Sequence, residues 1–182
     1  MPEFSLDKIK ELPNPCQATY EWRIYLEFIK AYFENRKIEN PTVVEIGVFT
    51  NKQKRFYEEL LGYKHIGIDI DAKTKADIIG DSKDPATLRK LKERLGGQPI
   101  NILFIDGHHG YESVKGDYEI YAPLVENIIA LHDVIFYKRS VAKFWGELIE
   151  ENREARDKTF ITIGAWYNKE IRMGTGLMLI EK

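Results

Sequence analysis

One cysteine, Cys16, is all that the 182 residues contain, so no internal disulfide can staple the chain, and the sequence fits a reducing compartment. Long hydrophobic runs are missing too. No stretch approaches the ~18 apolar residues of a membrane span, and the opening MPEFSLDKIKELPNP lacks the apolar centre of a secretory signal. A cytoplasmic protein without a membrane partner is the expectation. Charge of one sign is not in excess either: 27 Lys plus Arg stand against 29 Asp plus Glu, net -2, which gives no global field for nucleic acid. The 7 prolines and 13 glycines mark no linker, and no segment repeats. Hydrophobic residues make up 43% and aromatics 12%, enough for one sizeable core, so residues 1–182 are expected to form a single domain. No feature specifies an oligomeric state.

Along residues 1–40, Trp22, Leu26, Ile29 and Phe33 form the stripe of an amphipathic helix that Thr19 is placed to cap, after a break at Pro13 and Pro15. Tyr20, Trp22, Tyr25 and Tyr32 make this segment a candidate wall or lid for an acceptor pocket. Packing on a sheet is the competing use of Trp22 and Phe33. From residue 42, strand-like runs TVVEIGVF, HIGIDI, NILFIDG and IIALHDVIF alternate with helical patterns. One helix starts at Asp84-Pro85, shows Leu88, Leu91 and Leu95, and stops at Gly96; another runs from Tyr111 to Val125. After a helix around Val141 to Glu150, TFITIGAW and GTGLMLIE are joined by too short a connection for a crossover. The expected fold is α/β: a Rossmann-like, mostly parallel sheet flanked by helices and ending in an antiparallel C-terminal hairpin.

Five acids, Glu45, Asp69, Asp81, Asp106 and Asp133, fall at or just past strand ends, where such sheets bind ligands. Gly47 allows a tight turn, but GVFTNKQKRF offers neither G-x-G-x-x-G nor a P-loop, which disfavours a pyrophosphate cradle and with it an NAD-dependent oxidoreductase. Glu45 two places earlier suits a ligand with a cationic end. Asp69, with Asp71 as runner-up, can accept from both hydroxyls of a ribose. Asp81 can accept from an exocyclic amine of adenine or cap the helix that follows. The densest cluster is Asp106, His108, His109, His132 and Asp133, which gathers three of the 4 histidines. Metal binding or acid/base chemistry is one use of it; an Asp-His network fastening two loops is the other.

At these residues the chain resembles the class I S-adenosylmethionine-dependent methyltransferases, over roughly residues 42 to 180. VVEIGV resembles their first motif, HIGIDID the ribose-binding strand, and GDSKDPATLRKLKERLGG the adenine-side loop and helix. FIDGHHGYESVKGDYEIYAPLV with IIALHDV resembles the small metal-dependent O-methyltransferase branch that includes cephalosporin hydroxylase-like proteins. The resemblance implies S-adenosylmethionine and a divalent metal, Mg or Mn, as cofactors and a small hydroxylated molecule as acceptor. Glu45 and Gly47 would hold the methionine portion, Asp69 the ribose, and Asp81 with Ser82 the adenine. Asp106 is implied both beside the cofactor and, with His132 and Asp133, as a metal ligand, with His109 as general base. Asn51 stands where the pattern has a second glycine, and Asn tolerates the left-handed backbone such a turn requires. His108 replaces an acid beside His109. The family's amino-methylating N/D-P-P-[YF] motif is absent, which again disfavours nucleic acid. A metal-dependent hydrolase and a non-catalytic S-adenosylmethionine-binding protein are the alternatives.

Overall fold

The computed structural model of the chain describes residues 12, 17–135, 140–167 and 170–181, with side chains outside 165–173. Pro13, Pro15, Cys16 and most of the segment preceding the first helix therefore lie outside the described residues. The elements in order are α1 (Thr19–Arg36), β1 (Thr42–Ile46) and α2 (Gln53–Arg55), which continues as a π-helix (Phe56–Leu61). Next come β2 (Lys64–Asp69), β3 (Ile78–Ile79), α3 (Pro85–Leu95), β4 (Ile100–Ile105), α4 (Tyr111–Tyr121) and β5 (Val125–Leu131). The chain closes with α5 (Val141–Glu151), β6 (Lys158–Tyr167) and β7 (Glu170–Ile180).

One seven-stranded sheet holds all of them, in the order β3-β2-β1-β4-β5-β7-β6. The first five strands are parallel, while β7 runs antiparallel to both β5 and β6. The expected architecture and its terminal hairpin are both present. The hairpin strands are longer than their apolar cores alone indicated, because ladder pairing reaches from Lys158↔Ile180 to Tyr167↔Glu170 across a register shift at Ala165/Trp166.

Side-chain alternation along the buried strands feeds two cores. Val43, Ile102, Phe104, Ile128 and Leu177 face α1 and the π-helix, whereas Val44, Ile46, Leu103, Ile105 and Met178 face α3, α4 and α5. On the first face Trp22 stacks on Tyr25 at 5.1 Å and meets Phe56, Tyr57 and Phe104 edge-on. Tyr25 and Tyr32 are buried here as well, so they serve the core and not a pocket wall; Tyr20 alone of that set is exposed. On the second face, a Cβ at Gly176 would come within 2.6 Å of the Trp145 ring, which is how the indole lies flat on β7.

Two boundaries differ from the sequence expectation. Ala18, in extended backbone and without a side-chain cap, precedes α1, and Thr19 is already its first residue. Helix α4 stops at Tyr121 instead of Val125, because Pro123 tightens the chain into a 3-10 turn (Ala122–Leu124) and Val125 already begins β5. The cap of α3 is as expected: Asp84 accepts from the Ala86 N–H, Pro85 follows, and Gly96 closes the helix in left-handed backbone. Among the described residues no helix is long and apolar enough to cross a membrane.

Candidate functional site

From β1 the chain fills β2 and β3 on one side and then β4 and β5 on the other. Its connections thus leave in opposite directions past the C-terminal ends of β1 and β4, and a crevice opens between them. Gly47 follows β1 with φ +84, and a Cβ there would sit 2.4 Å from the Gly107 Cα. Only glycine lets these two loops meet at the floor of the crevice. The resulting cleft, about 490 Å³, is lined from β1 and β2 by Gly47, Phe49 and Asp69, from the loop after β3 by Asp81 and Ser82, and from β4 by Asp106.

At one end of the cleft the carboxylates are held by backbone. Asp69 accepts from the N–H groups of Val48 at 3.0 Å, Phe49 at 3.2 Å and Asp71 at 2.9 Å, which ties the loop after β1 to the end of β2. Asp71 caps its own short turn through Lys73 N–H. Asp81 accepts from Lys83 N–H, two residues on, and leaves the capping of α3 to Asp84. Ser82 donates to Asp117 at 2.6 Å. Asn51 does take left-handed backbone, with φ 54.

Where Asp106 lines the cleft, it belongs to a group of four side chains that alternate acid and imidazole, and the other three lie outside the lining. Asp106 Oδ1 lies 3.1 Å from His132 Nδ1 and 3.3 Å from His109 Nε2. Asp133 closes the ring, with Oδ1 3.6 Å from His132 Nδ1 and Oδ2 3.5 Å from His109 Nε2. The other oxygen of Asp106 accepts from Gln17 at 2.8 Å, and Gln17 is held in turn by Gln53. Each of Asp106, His109 and His132 brings one ligand atom within 4.8 Å of the other two. These charges set each other's protonation. Burial works against the Asp106 carboxylate, but His132 and His109 outweigh it and hold the group below its ordinary value. Burial likewise opposes the charged form of His132, yet Asp106 and Glu21 raise its pKa well above the usual imidazole. His109 is raised by its hydrogen bond to Asp106 against a smaller effect of burial. Burial pushes Asp133 up in spite of the two imidazoles.

Of the residues expected to form a site, the fold brings Gly47, Asp69, Asp81, Ser82 and Asp106 to the cleft and groups His109, His132 and Asp133 beside Asp106. Glu45 is not among the lining residues. It shares the face of Val43, is fully buried, and contacts His65 Nε2 at 2.7 Å beneath Tyr57. Strand parity decides this, since consecutive residues of β1 point to opposite faces and Ile46 is the one turned to the cleft. Burial holds the Glu45 carboxyl above its ordinary range, against the pull of His65.

Among the polar residues of the site that escaped the sequence reading are Asp117, Gln17 and Glu21. Asp117 lines the cleft from the buried stripe of α4, between Val114 and Tyr121. Glu21 is fully buried on α1 and accepts from Thr175 of β7 at 2.5 Å. Both are acids on an otherwise apolar helix face, a signal that was available. Gln17 sits before α1, outside any periodic segment, and had none.

No protein-family profile matches the chain, and no curated protein sequence matches it. Solved structures do. The MycE methyltransferase from the mycinamycin biosynthetic pathway, in complex with Mg and SAH, aligns with a TM-score of 0.61 at 17% identity, over 86% of this chain and 49% of that one. This chain thus spans about half the length of MycE. The O-methyltransferase TomG from Streptomyces achromogenes, involved in tomaymycin synthesis and in complex with SAM, aligns with a TM-score of 0.63 at 13% identity, over 96% and 86%. An O-methyltransferase from Bacillus cereus in complex with SAH gives 0.61 at 11%, over 97% and 87%. The chain shares the fold of these solved methyltransferases, here a sheet with a parallel body and an antiparallel C-terminal hairpin.

Proposed function

We propose that the protein is an S-adenosylmethionine-dependent methyltransferase that methylates a hydroxyl of a small molecule with help from a divalent ion. The observation that carries this reading is one cleft at the reversal point of the sheet, with ribose-type and adenine-type acceptors along it and a carboxylate–imidazole ring joined to it through Asp106. MycE and TomG, of the same fold, are methyltransferases with cofactor bound. In this reading Asp69 uses its remaining lone pair, on Oδ1, on the ribose, and Asp81 with Ser82 faces the adenine. The backbone after Gly47 and the Asp106 side of the floor take the methionine portion. Glu45 acts from behind β1, bracing the turn, without touching the ligand.

The residues present also suit a metal, because donor atoms of Asp106, His109 and His132 converge within 4.8 Å of one another. Asp106, His132 and Asp133 would hold the ion, and His109, the most exposed of the ring, serves as base. An ion bound there supplies acidification of an acceptor hydroxyl. Transfer is an in-line displacement at the sulfonium carbon: the acceptor oxygen forms the new C–O bond, the C–S bond breaks, and the acceptor's proton passes to His109 Nε2. Asp106 and Asp133, both facing that nitrogen, stabilise the imidazolium that results. The carboxylate-rich cleft and balanced overall charge favour a small hydroxylated acceptor over nucleic acid.

Calorimetry with S-adenosylmethionine and S-adenosylhomocysteine tests the core of this reading. Binding is expected, and Asp69→Ala should weaken it about ten- to a hundredfold, the effect of losing a charged hydrogen bond. Folded protein that binds neither compound at millimolar concentration would overturn it.

A further inference from the structure

The imidazole of His132 is clamped between three acids from different parts of the fold. Its Nδ1 faces Asp106 and Asp133, while its Nε2 faces Glu21 Oε1 at 3.6 Å. Glu21 is fully buried, reaches the ring from α1, and is fixed through Oε1 by the Thr175 hydroxyl of β7. No other hydrogen-bond partner reaches His132 Nε2, and Glu21 Oε2 is equally bare. Two buried polar atoms left this way are costly unless they serve each other or a ligand. When an ion takes the place of the proton at Nδ1, a carboxylate facing Nε2 holds the ring's remaining proton there, the usual arrangement behind a metal-bound histidine. The lone pair at Nδ1 then points into the ring of Asp106, His109 and Asp133.

Asp106 Oδ1 and Asp133 Oδ1 lie 3.1 and 3.6 Å from His132 Nδ1, separations that suit donors sharing one ion at about 2.0–2.2 Å, the bond lengths of a transition ion with nitrogen and oxygen ligands. Magnesium wants a near-octahedral shell of oxygens and keeps its waters, whereas imidazole suits ions such as Co, Ni and Zn. Resting on the metal-assisted reading above, we infer that Glu21 is the positioning residue that makes His132 a nitrogen ligand, so that the site takes a divalent first-row transition ion in preference to Mg. Gln17 fits this arrangement, since it occupies only Oδ2 of Asp106 and leaves Oδ1 to the ion.

The test uses the full chain after chelator treatment, with Co(II), followed by its visible ligand-field absorption and by calorimetry, against Mg titrated in parallel. Co(II) should bind at least about a hundredfold more tightly than Mg and give a spectrum that Glu21→Gln alters. Glu21→Gln should also lower Co(II) affinity about 10–100-fold, the usual effect of removing such an outer partner. Thr175→Val, which frees Glu21 without touching the ring, should weaken Co(II) in the same direction and guards against misfolding of the first variant. His132→Asp, which restores an oxygen donor, should narrow the Co(II)-to-Mg ratio at least tenfold. An absence of Co(II) binding, an unchanged spectrum and affinity in folded Glu21→Gln, or an unchanged ratio in His132→Asp would each overturn the inference. S-adenosylhomocysteine binding measured on the same samples separates the two readings. Its absence alongside the expected Co(II) behaviour removes the methyltransferase reading and leaves the metal site, and the converse leaves the methyltransferase without it.

Discussion

Asp77 and Glu45 show how the same chemical group, a carboxyl, acquires opposite linkage to pH from its neighbours. Burial raises the Asp77 carboxyl, but the Gly67 N–H and the Lys54 ammonium at 2.7 Å outweigh it, and the group sits below its ordinary value. A depressed folded pKa contributes stability that is present above the unfolded value and lost as pH falls through the folded one. Glu45 is raised, so its contribution runs the other way and weakens as pH rises from the unfolded value toward the folded one. Comparing a variant with the parent isolates the first effect from the second. Asp77→Asn should be less stable than the parent in urea at about pH 7, with the gap closing toward about pH 3. A gap independent of pH would show that the ion pair with Lys54 is not its source. At this scale the sequence was most informative where a residue acts locally: Asp84 as cap and Asn51 in left-handed backbone were both readable. Glu45 was not, because its role depends on which face of β1 the neighbouring loops leave open.

Helices α1 and α3 differ in what fixes them. For α3 the instructions are local. Asp84 accepts from Ala86 N–H, Pro85 sets the first turn, and Gly96 takes φ +60 with open space around it. Asp84→Ala should therefore cost about 1 kcal/mol, read as a lower urea midpoint with unchanged slope, while S-adenosylhomocysteine affinity stays the same. A change in that affinity would mean the cap also positions Asp81 and Ser82. By contrast, α1 lacks a side-chain cap and is held by tertiary contact, through Trp22 against three aromatic rings of the π-helix and β4 and Glu21 against β7. That is why the apolar stripe located α1 correctly while the proposed cap at Thr19 did not.

On the scale of the whole molecule, the two groups of candidate residues belong to different strands. The groups proposed for the nucleoside follow β2 and β3, and those proposed for the metal follow β4 and β5. Ligand and ion should accordingly be separable. Saturation with S-adenosylhomocysteine at about 100 times its dissociation constant should add about 2.7 kcal/mol of stability, seen as a rise in melting temperature, with or without chelator. Asp133→Ala should keep that rise and lose metal response and turnover together, measured as methyl transfer to catechols and vicinal sugar diols. His109→Ala should keep the metal and lose about 10²–10⁴ in rate. Activity that survives chelation intact would discard the metal mechanism and leave methyl transfer standing.

The sequence by itself determined the alternation of strands and helices, the antiparallel ending and the rim of acids and histidines, because periodicity, caps and strand-end residues are local properties of the chain. It also marked Gly47 as the turn, though not the reason, which is the backbone of Gly107 2.4 Å from where a Cβ would lie. Tertiary structure alone decided which acids share the cleft, that Asp117 and Ser82 meet across it, and that Glu21 comes to His132 although 111 positions separate them in sequence. Such contacts are set by the crossing of α1 over β4, β5 and β7 and by the parity of each strand. Neither is written in any one segment, since each depends on how the faces of distant elements are paired in the finished sheet.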